Sequence, residues 1–359
     1  MNRCVELVSS QEDEKTLAVG AGSDLGRLQM EEVGCPLCGG NDTYWNFALV
    51  LGQMVTCNQC DLSFVNPRIA SAVLNKKLDL WAEQDVVDQE RLATSFSPDT
   101  QRYYRRFLTW LEPFVSTRQR RLVDVGCSTG GFLSVAADDG WEARGIEVGV
   151  ASAQYAKETL GLCVKQQSIY TTDLEPSSAD LVSMIEVIEH LQDPVLAVKR
   201  VNQLLVPGGL LLITTPNFDA LYRRLFAERW WVVNCEDEHI VLFNMNSLVK
   251  LLESQGFEVL LKRVQGMDVA GIFREWRSRS EGSGVESSPE TALDGYYQAR
   301  TSKQRIKRLL RRSGLLWLVR QSLRLATVLY SSRFSPVYAW GEQLVVVARK
   351  RSDDQSVMG

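Results

Sequence analysis

Histidine is almost missing from this 359-residue chain, which has two, His190 and His239. Any histidine-based metal or acid–base site must therefore use one or both. Long apolar runs are missing as well. The greasiest stretch, Leu204 to Ile213, is broken by Pro207-Gly208-Gly209, and no window approaches the roughly eighteen apolar residues of a membrane span. The first residues lack the apolar core of a signal peptide. The expectation is a cytoplasmic protein in a reducing compartment, where paired cysteines more often hold metal than form disulfides. Charge of one sign is also scarce: 40 Lys+Arg face 44 Asp+Glu, a net charge of −4, which argues against a general nucleic-acid binder. With 45% apolar and 23% charged residues, collagen-like, wholly disordered and disulfide-dense chains are excluded. The length suits two domains, or one large α/β domain with attachments.

Four of the eight cysteines form two knuckles, Cys35-Pro-Leu-Cys38 and Cys57-Asn-Gln-Cys60, with eighteen residues between them. Two such loops bring thiolates to one ion from both sides and complete a tetrahedron, which is the pattern of a zinc ribbon. With all positions taken by cysteine no open site remains, so this zinc is expected to be structural.

Residues 1–30 are acidic and aperiodic and read as a tail; 31–70 hold the ribbon, closed by Asn66-Pro67-Arg68. Over 71–116, apolar residues recur at helical spacing (Val73, Leu74, Leu78, Trp81; Tyr103, Tyr104, Phe107, Leu108, Leu111), which predicts two or three lead-in helices. From 117 to 270, and again over 340–351, short apolar strands alternate with amphipathic helices. Strands are predicted over 122–125, 143–147, 162–165, 181–185, 210–214, 257–264 and 342–350. The predicted helices are 131–139, 150–160, 194–205 and 247–255. This alternation implies a doubly wound, mostly parallel sheet. An insertion over 271–339 precedes the last strand. From Gly295 through Gly341 there is no acidic residue and there are ten Lys or Arg, so this stretch is +10 and the remainder −14. It reads either as a solvated helical face or as a helix pair over 300–330 that meets anionic lipid or a phosphorylated acceptor.

Val123-Asp-Val-Gly-Cys-Ser-Thr-Gly-Gly-Phe-Leu133 follows the first long strand and opens a helix. Gly126 and Gly130 permit a tight turn and close approach of a ligand. The spacing differs from the GxGxxG dinucleotide fingerprint, which weakens a nicotinamide reading. Glu147, 23 residues after Asp124, ends the next strand, where an acid can accept from both ribose hydroxyls. With EVIEHLQDP, LLVPGGLLLITTPN and EHIVLFNMNSLVKLLESQGFEV, these segments resemble the class I S-adenosylmethionine-dependent methyltransferases over about 121–265. The resemblance implies a Rossmann-like seven-stranded fold and S-adenosylmethionine as cofactor. Asp124, Gly126 and Gly130 would hold the methionine end, Cys127 would sit in the same turn, and Glu147 would take the ribose. Ser168 stands where the family often carries an acid for the adenine amine. The ribbon resembles a branch tied to sugar, polysaccharide or natural-product methylation.

Glu186, Glu189 and His190 follow the fourth strand of the main domain at i, i+3 and i+4, a spacing that puts them on one face of a following helix. His239 arrives from a separate segment. Three readings stay open. His190 is a general base; or these residues hold one divalent ion, Mg²⁺ or Mn²⁺, that polarises a hydroxyl pair; or the histidines are packed core residues. Glu186 also falls where it can border the cofactor. Trp230 and Trp231, after Arg223, Arg224 and Arg229, suit a sugar or phosphate pocket or plain packing. Cys127, Cys163 and Cys235 read as buried thiols. The expected function is methyl transfer to oxygen or carbon of a sugar-type acceptor, a sugar nucleotide, polysaccharide or lipid-linked glycan, with His190 as candidate base; the partner expected is thus a small-molecule or glycan acceptor. A metal-assisted quinone or phenol O-methyltransferase and a silent binding scaffold are the alternatives.

Overall fold

A computed structural model describes residues 29–50, 52–115, 120–235, 238–266 and 341–352, without the side chains of residues 228, 234 and 235. The basic stretch, its proposed membrane contact and the acidic tail lie outside the described residues. Among the described residues no helix is long and apolar enough to cross a membrane.

The first part is strand-rich: β1 (Met30–Glu31), β2 (Thr43–Ala48), β3 (Gln53–Cys57), β4 (Ser63–Val65) and β5 (Arg68–Ile69). Then come α1 (Ser71–Glu83), α2 (Gln89–Ser95) and α3 (Pro98–Leu111). Ser97 starts α3 by accepting from the Thr100 amide, with Pro98 at the first helical position. Leu78 and Trp81, expected on a buried face of α1, are each 44% exposed.

The main sheet is built from β6 (Arg121–Val125), α4 (Gly131–Asp138), β7 (Glu142–Glu147), α5 (Val150–Gln154), β8 (Cys163–Gln166), β9 (Ala179–Ile185), α6 (Pro194–Leu204) and β10 (Leu205–Pro216). After α7 (Leu221–Phe226) follow β11 (Val241–Leu242), α8 (Met245–Ser254), β12 (Phe257–Gln265) and β13 (Gln343–Lys350). The seven strands run in the order β12-β13-β10-β9-β6-β7-β8. The pairs from β10 through β8 are parallel and β13 is antiparallel to β10. This is the mostly parallel, doubly wound fold. Leu122, Leu181, Leu212 and Val345 are completely buried in it, and α3 and α4 pack Phe107, Leu111 and Leu133 onto the same core.

Two elements differ from expectation. The helix over 150–160 is α5 followed by a π-type turn at Tyr155–Thr159. The Pro207-Gly208-Gly209 segment does not separate helix from strand; it is a register shift within β10, with Gly208 at φ +77°.

The chain forms two compact units, residues 1–218, 227–263 and 343–359, and residues 219–226 and 264–342. Within the second, Tyr222 packs edge-on to Phe226 and Arg224 pairs with Asp219.

Candidate active site

Strand order reverses at β6, whose neighbours are β9 and β7. In open α/β sheets this switch point opens a crevice beyond the carboxyl ends of the strands. The glycine turn fills that place. Gly126 has φ +69°, and a Cβ there would lie 2.7 Å from Val187 Cγ2; Gly130 caps α4 at φ +86°. Asp124 is buried and accepts from Ser183 Oγ at 2.6 Å. Burial, opposed by that bond and reinforced by Glu147, pushes its carboxyl up to about 7. Glu147 accepts from the Ser128 amide at 2.7 Å and the Gly149 amide at 2.8 Å. Its two oxygens keep lone pairs for further donors. The Cys127 amide and that of Gly126 donate to Ile146 O, while the Cys127 thiol donates to Ser128 O at 3.8 Å and burial raises it well above the ordinary range. Ser168 lies beyond β8, half-buried, accepting from the Tyr170 amide at 3.3 Å.

Asp85, in the α1–α2 connection, and Arg91, in the first turn of α2, carry no signal in the sequence but border this crevice. Arg91 pairs with Asp85 at 2.6 Å and donates to Ser128 Oγ at 3.0 Å; Asp85 also accepts from the Ser152 amide at 2.6 Å. Nothing in a polar connecting loop signals a contact with a loop so far along the chain. Burial raises the Asp85 carboxyl, but bonds from Ser152 and Arg91 outweigh it and the net shift is downward. A depressed folded-state value means stability that is present above the ordinary aspartate range and lost as pH falls through the folded value. Asp85→Asn is therefore expected to cost about 1.5–3 kcal/mol at neutral pH, as for hydrogen bonds to a charged group. The gap to the parent chain should close as pH drops below about 4. Urea unfolding across pH reads it; a gap independent of pH would refute it.

Around the two histidines the structure corrects the expected geometry. Glu186, Glu189 and His190 do not share a helix face. Glu186 directly follows β9 at φ +54°, Ile188–His190 form one 3-10 turn, and the helix begins only at Pro194, capped by Asp193. Glu186 Oε1 accepts from Thr214 Oγ1 at 2.8 Å and from Gln343 Nε2 at 2.6 Å, and Gln343 also bonds Tyr103. Glu189 is buried and accepts from Thr215 Oγ1 at 2.9 Å. Burial, with Glu186 adding repulsion, raises its carboxyl well above the usual range.

The two histidines meet, with ring centroids 4.7 Å apart. His190 Nδ1 donates to Glu238 O at 3.0 Å and His239 Nδ1 to Val232 O at 2.5 Å. A carbonyl only accepts, so each Nδ1 carries its proton and each Nε2 keeps a lone pair. Packing, then the neighbouring His239, lowers His190 to about 4, although 37% of its side chain meets solvent. So low a value makes His190 a weak base at neutral pH and a ready ligand. One ligand atom each from Glu189, His190 and His239 lie within 4.8 Å of one another, so these three fit a cation. Trp230 is core, fully buried beside Phe218, whereas Trp231 is 53% exposed. Cys163 is exposed rather than buried.

The four ribbon thiols also lie within 4.8 Å of one another, with Cys35–Cys60 at 3.3 Å and Cys38–Cys57 at 3.5 Å. The Cys57 amide donates to Leu62 O and the Gly39 amide to Cys35 O, closing both knuckles. Burial raises Cys35 to about 11; at Cys57 burial is outweighed by amide donors from Gln59 and Cys60, and the thiol is lowered. Four thiols this close ionise together only around a cation, so the donor set fits zinc.

Residues 96–262 match a family model described as a methyltransferase domain. Among curated relatives, the ubiquinone biosynthesis O-methyltransferase of Stutzerimonas stutzeri (strain A1501) is 30% identical over 117 residues, 31% of this chain and 50% of that protein. The enzyme of the same name from Saccharophagus degradans (strain 2-40 / ATCC 43961 / DSM 17024) is 32% identical over 114 residues, 30% of this chain and 48% of its own. The chain thus spans about half the length of these relatives. A SAM-dependent methyltransferase structure from Archaeoglobus fulgidus aligns with a TM-score of 0.45 at 17% identity, over 73% of this chain and all of that one. The family match lies over the very strands and turns that build the crevice, so residues 96–262 are similar to methyltransferase domains in the part of the chain where that crevice is formed.

Proposed function

We propose that this chain transfers the methyl group of S-adenosylmethionine to oxygen of a small-molecule acceptor with adjacent hydroxyls, a phenol or quinol. In this reading Glu189, His190 and His239 hold a divalent ion at the acceptor. The observation that carries it is the pair of anchored imidazoles, both offering Nε2, beside a buried carboxylate. A sulfonium methyl is already activated, so alignment and exclusion of water are what the protein must add. Asp124 and the glycine turn hold the methionine end, and Glu147 the ribose. When bound, the ion would lower the pKa of a coordinated hydroxyl. Two imidazoles and one carboxylate suit Mn²⁺ or a later transition ion better than Mg²⁺, which prefers oxygen donors. The names of the curated relatives point the same way.

A glycan acceptor is the second reading, supported by exposed Trp231 two residues from exposed Arg229; aromatic faces and guanidinium groups suit sugars and phosphates. Labelled methyl donor offered to catechols, quinols, sugar nucleotides and lipid-linked sugars separates the two. Product from sugars alone would overturn the phenol reading. A chain binding neither S-adenosylmethionine nor its demethylated product would be a scaffold.

The Cys35, Cys38, Cys57 and Cys60 cluster is read as a structural zinc site. Elemental analysis of protein purified without chelators is expected to find about one zinc per chain, and none would refute the site.

A further inference from the structure

The ribbon is not a free appendage. Its sheet runs β11-β4-β3-β2, so its outer strand is β11, a segment lying between β10 and α8 in the chain. Phe64 pairs with Val241 and Ser63 with Leu242. The Val65 amide donates to Ile240 O at 3.1 Å, and the Ile240 amide donates to Glu189 O at 3.1 Å. His239 immediately precedes Ile240. On its other side the segment is tied to the end of β10, where the Phe218 amide donates to Phe243 O. The second knuckle leads into β4: after Cys60 come Asp61 and Leu62, whose carbonyl holds the Cys57 amide, and then Ser63. Buried Thr56 and Ser63 hydroxyls bond at 2.7 Å and fix β4 to β3. An unbroken main-chain path thus links the thiol cluster to one of the two histidines and to Glu189.

We infer that the ribbon is a positioning element of the acceptor site: metal-organised Cys57–Cys60 sets β4, and β4 sets, through Val65 and Ile240, where His239 stands against His190 and Glu189. This rests on the zinc reading above. Two-residue β11 has little stability of its own, since isolated strand pairs are marginal in water. Its place is therefore supplied by β4. The cofactor end of the crevice, built on β6 and β7, makes none of these contacts. Loss of zinc should disturb the acceptor half and spare the cofactor half.

The two histidines make the test direct. The full chain, carrying isotope-labelled histidine, is measured by nuclear magnetic resonance before zinc ejection with an organomercurial, after it, and after zinc is restored. The imidazole signals of His239, assigned with His190→Gln, are expected to shift or broaden on ejection and return on restoration. Affinity for S-adenosylmethionine should stay within about twofold, as for sites that do not couple. Thr56→Val, which removes no thiol, is expected to move the same signals in the zinc-loaded chain, and decides the matter if ejection unfolds the protein. A zinc-bearing chain whose imidazole signals ignore both changes overturns the inference alone. A native chain with no zinc to eject overturns the zinc reading and this inference with it.

Discussion

Glu147→Ala is expected to weaken S-adenosylmethionine binding at least about 100-fold by calorimetry, because it removes an acceptor that two amides and the ribose would share. The side chain is 6% exposed and holds Ser128 and Gly149 together across the crevice mouth. Ser128 sits at φ +51°, a strained conformation for a residue with a side chain, and is tied there by its amide to Glu147 and by its hydroxyl to Arg91. Truncation leaves both amides without their acceptor and frees the glycine turn to relax. Glu147→Gln retains one acceptor oxygen but replaces the other with a donor that faces an amide, so its loss should be intermediate. An alanine variant that folds and binds the cofactor with parental affinity would show that the ribose lies elsewhere.

The second large effect is expected on chemistry rather than binding. His239→Ala should lower the turnover rate about 100- to 10,000-fold, the range for losing an acid–base or ion-holding group, with cofactor affinity little changed. The reason is geometric: His239 is anchored at Nδ1 by Val232 O and offers a ring nitrogen within 4.8 Å of ligand atoms of Glu189 and His190. Chelation followed by Mn²⁺ should switch the parental activity off and on. Activity that ignores chelation but still needs His239 would move the role from ion binding to proton transfer. Parental turnover in the alanine variant would remove the cluster from the mechanism altogether.

Much of the glycine-turn side of the crevice was legible in the sequence because its signals are local. The apolar strand 121–125, the turn glycines and the acid that ends β7 lie within 27 residues of one another (121 to 147), and the φ values at Gly126 and Gly130 are of the kind that favours glycine. The cluster around the two histidines was less legible. The i, i+3, i+4 spacing of Glu186, Glu189 and His190 suggested a helix, but Asp193 caps the Leu196 amide and Pro194 fixes the first turn, so the helix starts after the cluster. What brings the cluster together is a strand end, a single 3-10 turn and a distant segment. The β4–β11 pairing joins residues 63–64 to 241–242 through strands too short to carry any periodic pattern. The Asp85–Arg91 contact with Ser128 likewise depends on where the lead-in helices pack, which composition and spacing do not record.

The position of β13 has a consequence for how the chain is made. Its seven residues from Gln343 to Arg349 pair with Pro216 back to Leu210 in the interior of the sheet. During synthesis β10 therefore waits, with one apolar edge unpaired, while residues 217–342 are added. At roughly 5–20 residues per second the wait is on the order of ten seconds. An open edge of this kind invites pairing with other chains, and the long loop closure makes the final step slow. A translation stall between β10 and β13 would leave a nearly complete crevice on a sheet that cannot close. Such a stalled chain is the form most exposed to aggregation and most dependent on chaperones.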